Sequence, residues 1–323
     1  MTKITGIVKA VCISDVKGVQ KRNVVSACFH NGWGIEGDAH GGSWHRQVSL
    51  LSDDKIKQFN KLGADVAYGD FAENMVVDGI EFADLPVGGL LKCGDVLLEI
   101  TQIGKECHNH CQIYYKMNDC IMPREGVFAR VLHGGTITVG DSMEFVMQKL
   151  RQFRAAVVTL SDRGSQGIRE DESGPLIKLM LEEASYFVEE QILLPDDRKQ
   201  LEETLIDLSD RRQIDLILTT GGTGFSHRDI TPEATLVVAQ RLAPGIAEAI
   251  RFFSAQITGY AMLGRGVSVI RGGTLIVNLP GSPKAVRESL KYVLPYLGHG
   301  IEILRGNVEE CALVTNNIVN MNT

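Results

Sequence analysis

The sequence predicts two domains of different class. Residues 1–148 read as a β-rich barrel or folded sheet. Residues 149–323 read as a three-layer α/β domain with a mostly parallel sheet. Three observations carry this division. A chain of 323 residues has the length of about two domains. Up to residue 146, short apolar runs are punctuated by Gly and Asp with little helical periodicity. From residue 154 onward, strand-like and helix-like segments alternate.

In chain order, residues 4–12 open the first half as a strand, and further apolar runs follow at 23–29, 47–51, 74–77, 96–103 and 136–139. Residues 53–62 are the stretch with helical spacing. Residues 142–153 mix apolar and basic side chains and lead into a fresh strand, which puts the boundary near 150. In the second half, strands are expected at 154–160, 186–194 and 214–218. A hairpin is expected from 267–270 and 274–279, turning at Arg271, Gly272 and Gly273. Helices are expected at 175–184, 198–208, 244–256 and 283–293, and from Thr231 onward. Thr231, Pro232 and Glu233 read as N-cap, first helical residue and a charge suited to the positive dipole end.

Hydrophobic residues make up 44% and charged residues 23%, values ordinary for a soluble globular chain. Net charge is −7. Residues 1–148 carry 14 Lys+Arg against 18 Asp+Glu, net −4, and the remainder 19 against 22, net −3. Neither half is basic, so nucleic acid and anionic membrane are poor partners. The first residues lack a signal-peptide pattern and no stretch approaches 18 apolar residues, so a cytoplasmic location with reduced thiols is expected. Six of the seven cysteines, Cys12, Cys28, Cys93, Cys107, Cys111 and Cys120, fall in the first half. Their odd total speaks against a disulfide framework.

The most informative stretch is residues 215–233. An apolar strand runs into Thr219 and Thr220, then Gly221, Gly222, Thr223 and Gly224, then the helix start at Thr231. Strand, glycine turn and helix N-terminus suit an anion, because unpaired backbone N–H groups point at it. The plainer reading is a tight turn and nothing more. The cluster has neither the Lys-Ser/Thr of a P-loop nor the G-x-G-x-x-G spacing. Asp229 stands five residues beyond Gly224. A carboxylate beside a phosphate cradle repels the ligand unless a cation lies between them, which suggests Mg²⁺-nucleotide chemistry. Ser161, Asp162 and Arg163, then Pro195, Asp196 and Asp197, then residues 278–284, also follow expected strands. In an open α/β sheet such loops share the ligand-binding edge, so Asp196 and Asp229, 33 residues apart, can meet there. Asp196 reads equally well as a helix N-cap, and Asp229 as an Asx-turn into the helix.

Two stretches stand out in the first half. Residues 34–50 form a polar, glycine-rich segment leading into a strand. It reads as a solvated loop or as a ligand loop in which Arg46 clamps a phosphate and His40 and His45 donate to an anion. Residues 104–111 place Lys105, His108 and His110 around Cys107, and nearby positive charge favours the thiolate. Zinc is an alternative for this cluster, although the Cys107-x₃-Cys111 spacing is not that of a zinc ribbon. An inert buried cysteine is another.

Residues 219–235 (TTGGTGFSHRDITPEAT), followed by Asn278, Leu279, Pro280, Gly281, Ser282, Pro283 and Lys284, resemble the signature of the MogA/MoaB molybdopterin-processing family over roughly residues 153–310. Residues 34–42 (GIEGDAHGG), 45–51 (HRQVSLL), 69–74, the Cys107 segment and 123–130 resemble the MOSC domain over about residues 4–145. The first resemblance implies Mg²⁺-dependent transfer of AMP from ATP to the terminal phosphate of molybdopterin. It implies that Asp196 and Asp229 are catalytic and hold the metal. Ser161, Asp162, Arg163, Thr220, Gly221, Gly222, Thr223, Gly224, Asn278, Pro280, Gly281, Ser282 and Lys284 would bind pterin and phosphates. The second implies a β-barrel that binds or sulfurates molybdenum cofactor, with Cys107 as sulfur carrier and His45 and Arg46 at the ligand. A non-catalytic cofactor or sulfur carrier is the alternative. By analogy the chain would form a homotrimer, with molybdenum-insertion or sulfur-donor proteins as further partners.

Overall fold

A computed structural model describes residues 4–105, 112–146 and 152–305. The chain divides into two compact units, residues 1–151 and 152–323. In order, the first carries β1 (Thr5–Ile13), β2 (Arg22–Val24), β3 (Ser26–His30), β4 (Gly34–Ile35), β5 (Val48–Ser52), α1 (Asp53–Lys61), β6 (Met75–Asp78), β7 (Leu90–Cys93), β8 (Val96–Ile103), α2 (Gln112–Met117), α3 (Met122–Glu125), β9 (Val127–His133), β10 (Gly135–Thr138) and β11 (Ser142–Val146).

Seven of these strands close into a barrel in the order β11-β7-β8-β9-β5-β6-β1. Thr5 opposite Glu144 and Ile7 opposite Ser142 bring β1 back to β11. β5 and β6 run parallel and the other barrel pairs antiparallel. β2 extends β1, and β10, β3 and β4 form a separate small sheet. Val8, Leu50, Met75, Leu98, Ile100 and Val127 fill the barrel. On the outside, Leu51, Val76 and Phe128 are covered by Ile56, Phe59 and Ile113 of α1 and α2. Both faces of β5 are covered, and every one of its residues is buried, Ser49 and Ser52 included.

The structure adds β4, β7, β9 and β11 to the expected strands. Residues 142–146 pair with β1 and β7 instead of leading toward the linker. The expected run at 23–29 breaks at Val25, which is 75% exposed, because β2 pairs with β1 while β3 pairs with β10.

The second unit carries β12 (Arg154–Leu160), α4 (Asp162–Ser165), α5 (Ser173–Glu183), β13 (Phe187–Leu194), α6 (Arg198–Ile206), β14 (Leu216–Thr220), α7 (Thr231–Val238), β15 (Arg241–Leu242), α8 (Pro244–Ala255), β16 (Ser268–Arg271), β17 (Thr274–Leu279) and α9 (Pro283–Leu304). The sheet order is β13-β12-β14-β17-β16-β15, with the first four parallel, β16 antiparallel to β17, and β15 antiparallel to β16. α5, α8 and α9 cover one face through Ile177, Leu181, Ile250, Leu290 and Leu297. α6 and α7 cover the other through Leu201, Leu205, Ala234 and Val238. This is the expected three-layer α/β domain. The last helix runs past its expected end at 293, through Pro295. Its apolar stripe continues through Leu294, Leu297 and Ile301, and that burial outweighs the hydrogen bond lost at proline.

Candidate active site

The loops after β12, β14 and β17 line one crevice, and the loop after β13 is tied to the first of them through Asp196 and Asp162. Glycine is required at its centre. Gly221 has φ +92°, and a Cβ there would lie 2.2 Å from the Leu160 carbonyl oxygen. Gly222 has φ +62°, and its Cβ would lie 2.5 Å from Thr231 Oγ1 and 3.3 Å from Asp196 Oδ1. At Gly224 the added atom would come 2.9 Å from Asp229 Oδ2. The loop thus carries Asp196 against one of its glycines and Asp229 against another.

Asp196 is fixed by a reciprocal pair of bonds. Its backbone N–H donates to Asp162 Oδ1 and the N–H of Asp162 donates to Asp196 Oδ2, each at 3.0 Å. The helix-capping alternative falls to its neighbour: Asp197 Oδ1 accepts the Gln200 N–H at 2.9 Å and starts α6. Asp229 accepts the Ser226 N–H on Oδ2 at 2.8 Å, a local closure of the loop. Oδ1 of Asp196 and Oδ1 of Asp229 have no hydrogen-bond partner among the described residues. Burial raises the pKa of Asp196, the Asp162 N–H opposes that shift, and the charges of Asp162 and Asp229 add to it. Asp162 is instead lowered, chiefly by the hydrogen bonds from Arg228, which grips both its oxygens. Arg228 is thereby paired, although its side chain is 64% exposed. Magnesium takes one or two carboxylate oxygens, keeps several waters and adds substrate phosphates. Two carboxylates with an unsatisfied oxygen each, beside an anion-suited glycine loop, fit that requirement.

The loops brace one another. Thr220 Oγ1 donates to the Pro280 carbonyl at 2.7 Å and Ser173 Oγ to the Gly281 carbonyl at 2.9 Å. Thr231 does not cap α7 as expected. It is the first helical residue, after Ile230, and its hydroxyl donates to the Gly221 carbonyl at 2.9 Å. Ser161 Oγ accepts the Gly164 N–H and caps α4, and Ser282 Oγ accepts the Ala285 N–H and caps α9. A cavity of about 310 Å³, within the size range of small-molecule sites, is lined by Ser161, Asp171, Ser173, Thr220, Gly221 and Gly281, among others. Arg163 and Lys284 are exposed at the loop and in the first turn of α9.

One expected ligand residue is placed differently. Asn278 is 3% exposed, and its amide is spent on Thr219 Oγ1, Thr235 Oγ1 and the Val267 N–H. It braces β14 and α7 behind the crevice. Sequence reasoning also missed Arg265. Its Nε donates to the Gly224 carbonyl at 2.6 Å and its NH2 to the Asp229 carbonyl at 2.7 Å. It pairs with Glu233, and its own N–H donates to the Thr223 carbonyl at 3.0 Å. Arg265 positions the whole glycine loop from behind. It shares no motif with that loop, so only the fold could reveal it.

In the first unit, residues 106–111, with Cys107 and the zinc alternative, lie outside the described residues. Gly104, just after β8, has φ +70°, and a Cβ there would lie 2.1 Å from the Pro123 carbonyl oxygen. His45 Nε2 lies 2.9 Å from Gln102 Oε1. The Arg46 guanidinium stands over the Trp44 ring at 5.0 Å and the Phe128 ring at 5.9 Å. Asp38 turns inward, accepting from Ser14 N–H, Lys21 Nζ and Asn74 Nδ2 on one oxygen and from the His40 N–H on the other. Among the described residues no helix is long and apolar enough to cross a membrane.

Residues 156–299 match the family model described as "Probable molybdopterin binding domain", and residues 37–144 match the MOSC domain model. The chain is 40% identical over 163 residues to the molybdopterin adenylyltransferase of Helicobacter pylori, covering 49% of this chain and 91% of the relative. It is also 40% identical over 161 residues to the molybdopterin adenylyltransferase of Escherichia coli K12, covering 49% of this chain and 78% of the relative. Among solved structures, the molybdopterin biosynthesis enzyme MoaB of Thermus thermophilus is similar at 44% identity and a TM-score of 0.46, covering 48% of this chain and 98% of that one. Through its second unit the chain belongs to the MogA/MoaB family of molybdopterin adenylyltransferases, and it carries a MOSC domain ahead of that unit.

Proposed function

We propose that the C-terminal unit adenylylates molybdopterin: the terminal phosphate of the pterin attacks the α-phosphorus of ATP, and pyrophosphate leaves. The observation that supports this reading is that Asp196 lies against Gly222 and Asp229 against Gly224 of one glycine loop, each with an oxygen unspent. The nucleophile is already an anion, so the reaction needs no general base. It needs in-line positioning and relief of repulsion between two anions. Mg²⁺ held by Asp196 and Asp229 would supply charge neutralisation on the nucleotide phosphates. The backbone of residues 221–224 cradles one phosphate group, and the turn at Gly281 and Ser282, opening α9, cradles the other. Ser161, Asp162 and Arg163 border the pterin. Arg265 keeps the glycine loop in register throughout.

The test is pyrophosphate release from ATP, Mg²⁺ and molybdopterin, wild type against Asp229→Ala. Release that the substitution abolishes sustains the enzyme. Tight molybdopterin binding with no release would make the unit a carrier. For the MOSC domain we propose that it binds or sulfurates the cofactor, with Cys107 as the sulfur carrier. Mass spectrometry after treatment with a sulfur donor should find a persulfide on Cys107 that Cys107→Ser removes; a persulfide on another cysteine overturns the assignment.

A further inference from the structure

We propose that Cys28, His30 and Glu36 form a binding site for a borderline divalent cation, Zn²⁺ foremost, on the outer face of the small sheet in the N-terminal unit. Side chains alternate along a strand. Phe29 enters the barrel core and Ala27 packs against it, so Cys28 and His30 share the opposite face of β3. β4 lies antiparallel to β3, with Ile35 opposite Phe29 and Gly34 opposite His30. Ile35 is also in the core, so Glu36 faces the same way as Cys28, and its N–H donates to the Cys28 carbonyl at 2.9 Å. The period of two thus gathers three ligand types from β3 and from the residue just after β4.

Cys28 Sγ, a His30 ring nitrogen and a Glu36 carboxylate oxygen all lie within 4.8 Å of one another, with His30 Nε2 3.6 Å from Glu36 Oε2. Around a tetrahedral zinc with bonds of 2.0–2.3 Å, neighbouring ligand atoms sit roughly 3.3–3.6 Å apart. Side-chain torsions alone close the remaining gap. The backbone that carries the ligands is held by its glycines. Gly32 and Gly34 have φ +66° and +124°, and a Cβ on Gly34 would come 3.2 Å from the Gln47 carbonyl oxygen. The Gly32 N–H donates to the Val131 carbonyl at 2.9 Å, tying the hairpin to the barrel wall.

Thiolate, imidazole and carboxylate together suit zinc or cobalt(II) and not magnesium or calcium. Three protein ligands leave one position for water. The His30 and Glu36 side chains are 50% and 70% exposed, so the ion loads from solution. A surface ion pair between His30 and Glu36 would be worth little and would not involve the thiol. Binding releases the Cys28 thiol proton to solvent and requires neutral His30, so affinity weakens as pH falls.

The test uses the full chain and Co²⁺ as spectroscopic probe, followed by competition with Zn²⁺. Cys107, His108, His110 and Cys111 are other candidate ligands in the chain, so wild type is compared with Cys28→Ser, His30→Ala and Glu36→Gln under one condition. Cys28→Ser is expected to lose a thiolate-to-cobalt charge-transfer band that wild type shows. The other two are expected to weaken zinc binding by roughly tenfold or more, since changes outside the ligand shell alone cost 10–100-fold. Glu36→Gln is exposed and isosteric, so it leaves the fold intact. A band retained in Cys28→Ser, affinity unchanged in both other variants, or no binding by wild type at micromolar metal overturns the site.

Discussion

Two glycine-rich loops, residues 34–50 and 219–229, look alike as sequence: polar, acidic, and set beside a strand. The carboxylate of the first, and those on and beside the second, are used in opposite ways. Asp38 and its partner Lys21 have side chains 0% and 1% exposed, and both Asp38 oxygens are occupied. Burial by itself would raise the pKa of Asp38, but the hydrogen bonds from His40 and Lys21 outweigh it and hold the carboxyl well below its usual range. At the crevice, Asp196 and Asp229 each keep an oxygen unspent, and burial raises the pKa of Asp196. A saturated acid holds a fold together; one with an oxygen unspent is open to a further partner.

The contrast can be broken most sharply by charge removal. Asp196→Asn or Asp229→Asn should lower pyrophosphate release by about 10³-fold, the scale of one lost electrostatic contact in a transition state, while the melting temperature stays near that of wild type. Asp38→Ala should do the reverse. It strands a buried ammonium and should cost the N-terminal unit about 3–5 kcal/mol in denaturant unfolding, with adenylyl transfer by the other unit retained. Glu73 offers a third comparison. It is fully buried, its Oε2 has no hydrogen-bond partner, and burial pushes its pKa up to about 7. Its folded value lies above its unfolded one, so its contribution to stability is largest at low pH and declines as pH rises from about 4.3 to 7, by on the order of 3 kcal/mol. Glu73→Gln should flatten the melting temperature between pH 5 and 8; a variant that keeps the wild-type slope would remove Glu73 as its source. The smallest effect is expected at Gly222→Ala, about 2 kcal/mol from a left-handed backbone and the encroachment on Thr231, read by thermal unfolding together with weakened turnover.

Local pattern carried the α/β unit almost whole, because β12, β14 and β17 are fully buried runs that alternate with helical segments. The barrel was harder. β9 includes Arg130, β7 has four residues, and β11 is committed by pairings such as Thr5 with Glu144, across nearly the whole unit. No window of sequence contains that information. At the site, the glycines and both acids stood out by type and position. Arg265 and the Arg228–Asp162 pair did not, since their partners lie 32–66 residues away. Asn278 stood within a motif and yet works as a brace, because a polar residue at the end of a buried strand must satisfy its amide inside.

The mutual bonds between Asp162 and Asp196 carry one more implication. Two anions that would drift apart in a flexible chain are held side by side by each other's amide before any cation arrives. Arg228 balances the charge of Asp162, so the two acids are positioned when the domain folds, with one of them already compensated. Under the proposed function, a metal–nucleotide would find Asp196 already in place, without requiring the two loops to be brought together.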